Sequence, residues 1–249
     1  MIPALQTLEL SKSFGALTVA DQINFVLEPG ARHALIGPNG AGKTTFVNLL
    51  TGRLMPSSGS VLLAGEKVTD LNESQRVKKG LGRTFQINSL FNKMTVLDNV
   101  ALGISERLGV SQHMWKTANR FKNIQEEALE ILSLLDIVDD ASRIVSQLPY
   151  GKQRLVEIAI SLGLRPTVLL LDEPAAGVPS MESGRILQAL DALPKNIAIL
   201  MIEHDMDLVF QFAKRITVLV QGAVLCEGTP DQIANDPRVH QVYLGESDE

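Results

Sequence analysis

The chain has 249 residues, 45% of them hydrophobic, with a formal net charge of −5 and a single cysteine, Cys226. That length supports a sizeable core in one or two domains, and the acidic balance excludes a general nucleic-acid surface. One cysteine excludes an internal disulfide framework and fits a reducing compartment; its apolar neighbours Val224 and Leu225 point to a buried, inert thiol. No stretch reaches the eighteen or so apolar residues of a membrane span, and the N-terminus lacks the basic-then-apolar pattern of a signal peptide. The expectation is a soluble protein that meets a membrane only through a partner.

Residues 5–28 read as two strands around Ser11–Val19, marked by Leu5, Leu8 and Leu10 and then by the alternation of Ile23, Phe25 and Leu27. Phe14 sits at a strand end, and Pro29-Gly30 is a turn. Residues 31–36 are a short apolar strand. They run into Gly37-Pro38-Asn39-Gly40-Ala41-Gly42-Lys43-Thr44, which satisfies G-x-x-x-x-G-K-[ST] at every fixed position. Phe46, Val47, Leu49 and Leu50 then recur at helical spacing to Arg53. Strand, glycine loop and helix are the context the motif requires. Glycines allow successive N–H groups to turn inward on an anion, and the helix that follows adds its positive end. Lys43 reaches terminal phosphates as a point charge, and the Thr44 hydroxyl can ligate Mg²⁺; Thr45 extends the same phosphate-facing turn.

Pro56-Ser57-Ser58-Gly59 reads as a loop, Ser60–Ala64 as a strand and Gly65-Glu66 as a turn. Asn72 and Gln75 form a capping box for a short helix to Lys79. Leu81–Gln86 is a strand ending in a polar residue. Thr95 and Asp98 start another helix, and Met114, Ala118, Phe121, Ala128, Ile131, Leu132 and Leu135 give an amphipathic one over 114–135. Residues 95–145 are therefore an inserted helical region; it carries Trp115, the only tryptophan, read as a packing residue. A helix follows Gln147–Arg154 and breaks at Pro166. Val168–Leu171 is a continuous apolar run, as a central parallel strand demands, and it ends in Asp172-Glu173-Pro174. Ser180–Leu193 is helix, Asn196–Ile202 a strand ending in Glu203-His204-Asp205, and a further helix runs to Lys214. Ile216–Val220 and Val224–Glu227 form a hairpin across Gln221-Gly222, with a tail helical in pieces. Strands alternating with helices, and polar residues at strand C-termini, give a parallel α/β sheet with ligands at that edge.

Two adjacent carboxylates are costly inside a core but fit an open strand end beside a cation. Asp172 can hold Mg²⁺, Glu173 can polarise a water for in-line attack on a γ-phosphate, and His204 can bind that phosphate or orient the water. Taken singly, a strand-end Asp-Glu or a lone histidine is an ordinary solvated feature; their order behind a P-loop is what carries meaning.

That ordered set resembles the nucleotide-binding subunit of an ABC transporter, over essentially the whole chain. Gly37–Thr44 matches the family's Walker A, Leu169–Glu173 its Walker B and Gln86 its Q-loop, a further Mg²⁺ and coupling residue. Gln147–Arg154 takes the signature position, with Pro149, Tyr150, Gly151 and Lys152 facing nucleotide, and His204 the switch position. The resemblance implies a P-loop NTPase (RecA-like) core with an N-terminal antiparallel β-subdomain, from about 1–86 and 161–249, and an α-helical subdomain at roughly 87–160. It also implies ATP and Mg²⁺, Phe14 stacking on adenine, and a head-to-tail dimer in which each P-loop faces the other subunit's signature. The partners implied are integral-membrane permease subunits, a second ATPase subunit and, indirectly, a periplasmic or extracellular solute-binding protein, at the cytoplasmic face of the inner membrane.

Arg83-Thr84-Phe85-Gln86, Glu173–Gly177, Glu203–Met206 and the ending Val242–Glu246 are similar to the ATPases of branched-chain amino acid importers. Relatives for urea or amides share most of these runs, and the lipopolysaccharide-export ATPase shares them more distantly. Two departures stand out. Pro149 replaces a serine, and so lacks both hydroxyl and N–H, while Tyr150 replaces a glycine; Pro179 replaces an acidic or amide residue after Walker B. Weakened closure at the site served by this signature is expected, and unequal sites would suit a heterodimer. The alternatives are the lipopolysaccharide-export ATPase and a soluble ABC-type protein acting on ribosomes or DNA. The latter class carries tandem cassettes or basic extensions that this chain lacks.

Overall fold

The computed structural model describes residues 1–84, 90–109 and 118–244. Gln86 and Trp115 lie outside the described residues. The N-terminal hairpin is longer than expected: β1 (Leu5–Phe14) and β2 (Leu17–Leu27) continue through Ser11–Val19. Lys12, Ser13 and Phe14 pair with Ala20, Thr18 and Leu17. Register shifts after Thr7, with Glu9 at φ 47°, break the period-two pattern that would have revealed the extension. β4 (Ser58–Leu63) also starts earlier than expected, inside the Pro56–Gly59 loop, because Ser58 pairs with Ser11. With β5 (Glu66–Lys67) these form an antiparallel sheet in the order β2-β1-β4-β5.

A second sheet has the order β10-β9-β3-β8-β7-β6. Its strands are β3 (Arg32–Ile36), β6 (Leu81–Arg83), β7 (Val168–Asp172), β8 (Ala198–Ile202), β9 (Arg215–Val220) and β10 (Ala223–Gly228). β3 pairs in parallel with β8 and β9, and β7 with β8. The unbroken apolar runs of β7 and β8 are buried almost throughout, which is the reason they lack alternation. β9 and β10 close on Gln221 and Gly222, both at positive φ as a two-residue hairpin turn requires.

One buried cluster joins the two sheets through helix α1 (Lys43–Thr51). Phe46, Val47, Leu49 and Leu50 meet Leu5, Leu10 and Phe25 of the first sheet and Leu35, Leu170 and Leu200 of the second. Each such side chain contributes about 1.5–3 kcal/mol by burial, so α1 is fixed along its length. Its C-terminal carbonyls are met by a buried cation. Arg76, on α2 (Glu73–Lys78), donates to Leu49 O, Leu50 O and Thr69 O at 2.7 Å and to Leu71 O at 3.0 Å. Burial lowers its pKa to about 10, still charged at neutral pH. The helix carrying it opens with the capping box Asn72–Gln75, as the sequence suggests.

The chain divides into two compact units. The first comprises Met1–Leu81, Thr167–Glu173 and the chain from Lys195 on; the second comprises Gly82–Pro166 and Pro174–Pro194. The second unit is helical, with α3 (Val96–Arg107), α4 (Ala118–Leu134), α5 (Tyr150–Gly163) and α6 (Ser180–Asp191). Val100, Ile104, Ala128, Leu132, Val156 and Ala159 are in its core. It takes in α6 besides the 87–160 span read from sequence. The last described helices of the first unit are α7 (Met206–Phe212), α8 (Pro230–Ala234) and α9 (Pro237–Leu244). Cys226 is half-buried, not fully buried as its neighbours suggested. Burial and nearby Asp236 nonetheless push its thiol pKa up, so it stays protonated and unreactive.

Candidate functional site

One sheet edge of the first unit gathers the ends of its parallel strands. Leu35, Ile202 and Asp172 stand side by side on β3, β8 and β7, so three parallel strands end together. β3 leads into Gly37–Gly42, β8 into Glu203-His204 and β7 into Glu173. The glycine loop is shaped by its surroundings. Gly37 has φ 156°, and a Cβ there would stand 2.2 Å from Leu219 O; at Gly42, φ 96°, it would stand 2.8 Å from Val19 O. Only glycine fits either place. Gly222 N–H donates to Ala41 O at 2.9 Å, and Asp21 N–H to Gly222 O at 2.8 Å, tying the loop to both sheets. Pro38 is half-buried, Asn39 and Gly40 are exposed and Ala41 is buried. Lys43 Nζ folds over the loop, donating to Gly37 O at 2.5 Å and Pro38 O at 2.9 Å. Thr44 is exposed and Thr45 half-buried at the start of α1. No acidic residue lies in the first turn of that helix, so its positive end is uncompensated.

At the neighbouring strand ends, Glu173 N–H donates to Ile202 O at 2.9 Å. This brings Glu173 Oε1 to 3.8 Å from His204 Nδ1. Both side chains are open to solvent, Glu173 at 49% and His204 at 67%. Glu173 has φ 48°, a left-handed conformation that costs a non-glycine residue about 1–3 kcal/mol and tends to persist where function needs it. The sequence reading gave Glu203 no role. Its carboxylate is buried, lies 3.8 Å from His204 Nδ1 and accepts from His204 N–H at 3.2 Å. The available signal was a carboxylate at the end of an apolar strand beside a histidine. Asp205 is a helix cap, accepting from the N–H groups of Asp207 and Leu208. Phe14 is exposed at 54%, with Lys12 Nζ 4.9 Å from its ring centroid.

The oxygen donors at this edge, the Thr44 hydroxyl and the Asp172 carboxylate, suit a hard cation. Among the described residues no cluster of three His, Cys, Asp or Glu side chains could hold a metal alone. A cation completed by phosphate and water fits that donor set.

In the second unit α5 is entered through Pro149, which makes no side-chain cap hydrogen bond. Tyr150 packs on Gly177, 3.3 Å from where a Cβ on that glycine would stand, and its ring lies 5.4 Å from Arg154 Cζ. Arg154 pairs with buried Glu157 at 2.9 Å; burial pushes Glu157's carboxyl up against that pull. Lys152, expected to face nucleotide, has its ammonium 2.5 Å from Asp140, whose other oxygen meets Arg143 at 2.8 Å. Burial alone would raise Asp140, but these two cations outweigh it and hold its carboxyl below the usual range. Pro179 heads α6 without a side-chain cap bond.

Comparison with known proteins places this architecture. Residues 20–176 match the ABC transporter family. The chain belongs to that family. Its C-terminal residues 223–249 match a second family described as a branched-chain amino acid ATP-binding cassette transporter. It is 40% identical to the high-affinity branched-chain amino acid transport ATP-binding protein LivG of Escherichia coli (strain K12), over 98% of this chain and 99% of that one. It is 38% identical, with the same coverage, to BraF of Pseudomonas aeruginosa, which carries the same description. Among solved structures, an ATP-binding cassette of an ABC transporter in its ADP conformation superposes with a TM-score of 0.86 at 29% identity, covering 98% of this chain and 100% of that chain. The ABC cassette is thus an α/β P-loop ATPase. Within it the structure brings the P-loop, Asp172, Glu173 and His204 to one edge and places Pro149, Tyr150, Gly151 and Lys152 in the other unit. No helix among the described residues is long and apolar enough to cross a membrane.

Proposed function

We propose that this cassette hydrolyses ATP to drive import of a small solute, branched-chain amino acids or closely related amino acids, through a membrane ABC transporter. The observation that carries the chemistry is the shared edge of β3, β8 and β7, where the Lys43 loop and the Glu173–His204 pair meet. The names of the LivG and BraF relatives and the match of the C-terminal segment support the solute class.

Gly37 to Thr45 cradle the phosphates, with backbone N–H groups, the α1 dipole and Lys43 opposing their charge. Phe14 offers its ring to adenine. Thr44 and Asp172, with Gln86, would hold Mg²⁺, which neutralises phosphate charge when bound. Glu173 polarises the attacking water, and His204, 3.8 Å away, keeps that water and the γ-phosphate in register. The signature at Pro149–Lys152 faces the nucleotide of a second cassette, a copy of this chain or a different subunit, in a head-to-tail pair. ATP closes the pair and hydrolysis releases it. The helical unit, including the 87–160 span, passes the motion to permease subunits at the cytoplasmic face of the membrane, and a solute-binding protein acts from the other side.

The test is capture of the tagged protein from its native membrane and identification of what accompanies it. An amino-acid permease pair is expected. Recovery of lipid-transport subunits would reassign the solute, and recovery of ribosomes or DNA-bound proteins without any permease would overturn the importer reading.

A further inference from the structure

We infer that Glu182 is an internal counter-anion at the signature helix, opposing the docking of a γ-phosphate held by a second copy of this chain. The inference rests on the head-to-tail reading above. Glu182 stands in the first turn of α6, yet its carboxylate reaches across to the start of α5. Oε2 lies 2.7 Å from where a Cβ on Gly151 would stand, and Glu182 Cβ lies 3.6 Å from the same point. Any side chain at position 151 would displace that carboxylate.

The start of α5 is the positive end of a 14-residue helix. Lys152 and Gln153 N–H groups both turn back to Pro149 O, at 3.0 and 3.1 Å, while the Tyr150 and Gly151 N–H groups find no acceptor among the described residues. Pro149 adds neither a hydroxyl nor an N–H. A carboxylate therefore lies against a pole whose first two N–H groups are otherwise unmet.

Arg185, one turn further along α6, forms no ion pair with it, and the cations around the start of α5 are taken. Lys152 and Arg143 are both engaged by Asp140, and Arg154 by buried Glu157. Glu182 forms no ion pair with any described residue and is half-buried, so solvent screens it less than a fully exposed carboxylate. A phosphate arriving at Gly151 meets a like charge in contact with the backbone that should receive it. The missing serine hydroxyl and this carboxylate weaken the same step, one by removing a donor and the other by adding repulsion.

The experiment uses the full chain carrying Glu173→Gln, chosen to slow hydrolysis, with and without Glu182→Gln, an isosteric change that removes only the charge. ATP-dependent association is followed by sedimentation, and ATP binding to the monomer by a fluorescent ATP analogue. The Glu182→Gln chain should associate at about 3- to 10-fold lower ATP concentration, with unchanged analogue affinity, and the gain should shrink at high salt. Glu182→Ala should shift association in the same direction. Unchanged or weaker association, or a gain insensitive to salt, would overturn the inference. If both chains bind the analogue and neither associates, the pairing of this chain with itself fails and the inference falls with it; that outcome is recognised by the behaviour of the Glu173→Gln parent alone.

Discussion

Helices α1 and α5 both present N-terminal ends suited to phosphate, and the chain builds the two ends in opposite ways. The α1 end is reached through glycines whose neighbours forbid a side chain, carries no acid in its first turn and has Lys43 folded over it. Its far end is neutralised by buried Arg76. The α5 end is reached through Pro149, has Glu182 against Gly151, and sits among cations already engaged by Asp140 and Glu157. The helix dipole is common to both. What differs is the local charge and the donors around it, and on the proposed function these set how readily each pole takes a phosphate.

The largest effect expected on this contrast comes from the chemistry at the α1 edge. Glu173→Gln should cut ATP turnover by about 10²- to 10⁴-fold, the range of a general base, while nucleotide binding persists; phosphate release and ATP binding on the same preparation check both halves. Lys43→Ala should instead weaken ATP binding by about 10- to 100-fold, through loss of charge-assisted bonds to phosphate, measured by a binding titration. Arg76→Ala tests the other end of α1. It strips partners from buried carbonyls and should cost about 3–5 kcal/mol, lowering Tm by roughly 10 °C in a melting curve.

His33, on β3 beneath the loop, is buried edge-on to Phe25 and hydrogen-bonded to Thr217 at 2.8 Å. Burial lowers its pKa from 6.5 to about 4, despite the nearby carboxylate of Glu227. The unfolded chain therefore takes up the proton first on acidification. His33's contribution is fully present above pH 6.5 and declines towards pH 4, by about 3 kcal/mol at most. Denaturant midpoints across that window should fall less steeply for His33→Gln than for the wild type. The smallest effect is at the exposed aromatic: Phe14→Ala should weaken ATP binding about 2- to 10-fold, read in the same titration as Lys43→Ala.

The α1 edge was legible in the sequence because its features are local. The P-loop has fixed spacing, and β7 and β8 announce themselves as unbroken apolar runs ending in Asp172-Glu173 and Glu203-His204. The α5 surroundings were legible only in part. Pro149 reads directly as a missing donor, but the partners of Lys152 and Glu182 come from positions 140 and 151, and no spacing rule connects them. No local pattern marks Arg76 on its short helix, since its four carbonyl acceptors exist only once α1 and the loop before α2 are folded. The extension of β1 and β2 was hidden by bulges and by polar residues at their tip.

The most direct test of import driven by this ATPase is uptake of labelled leucine by cells whose only copy of this cassette is wild type or Glu173→Gln, with membrane levels of the protein matched. Uptake is expected with the wild type and its near-complete loss with the variant, which should still bind ATP. Equal uptake in the two strains would contradict that expectation, because transport would then proceed without the hydrolysis assigned to this edge.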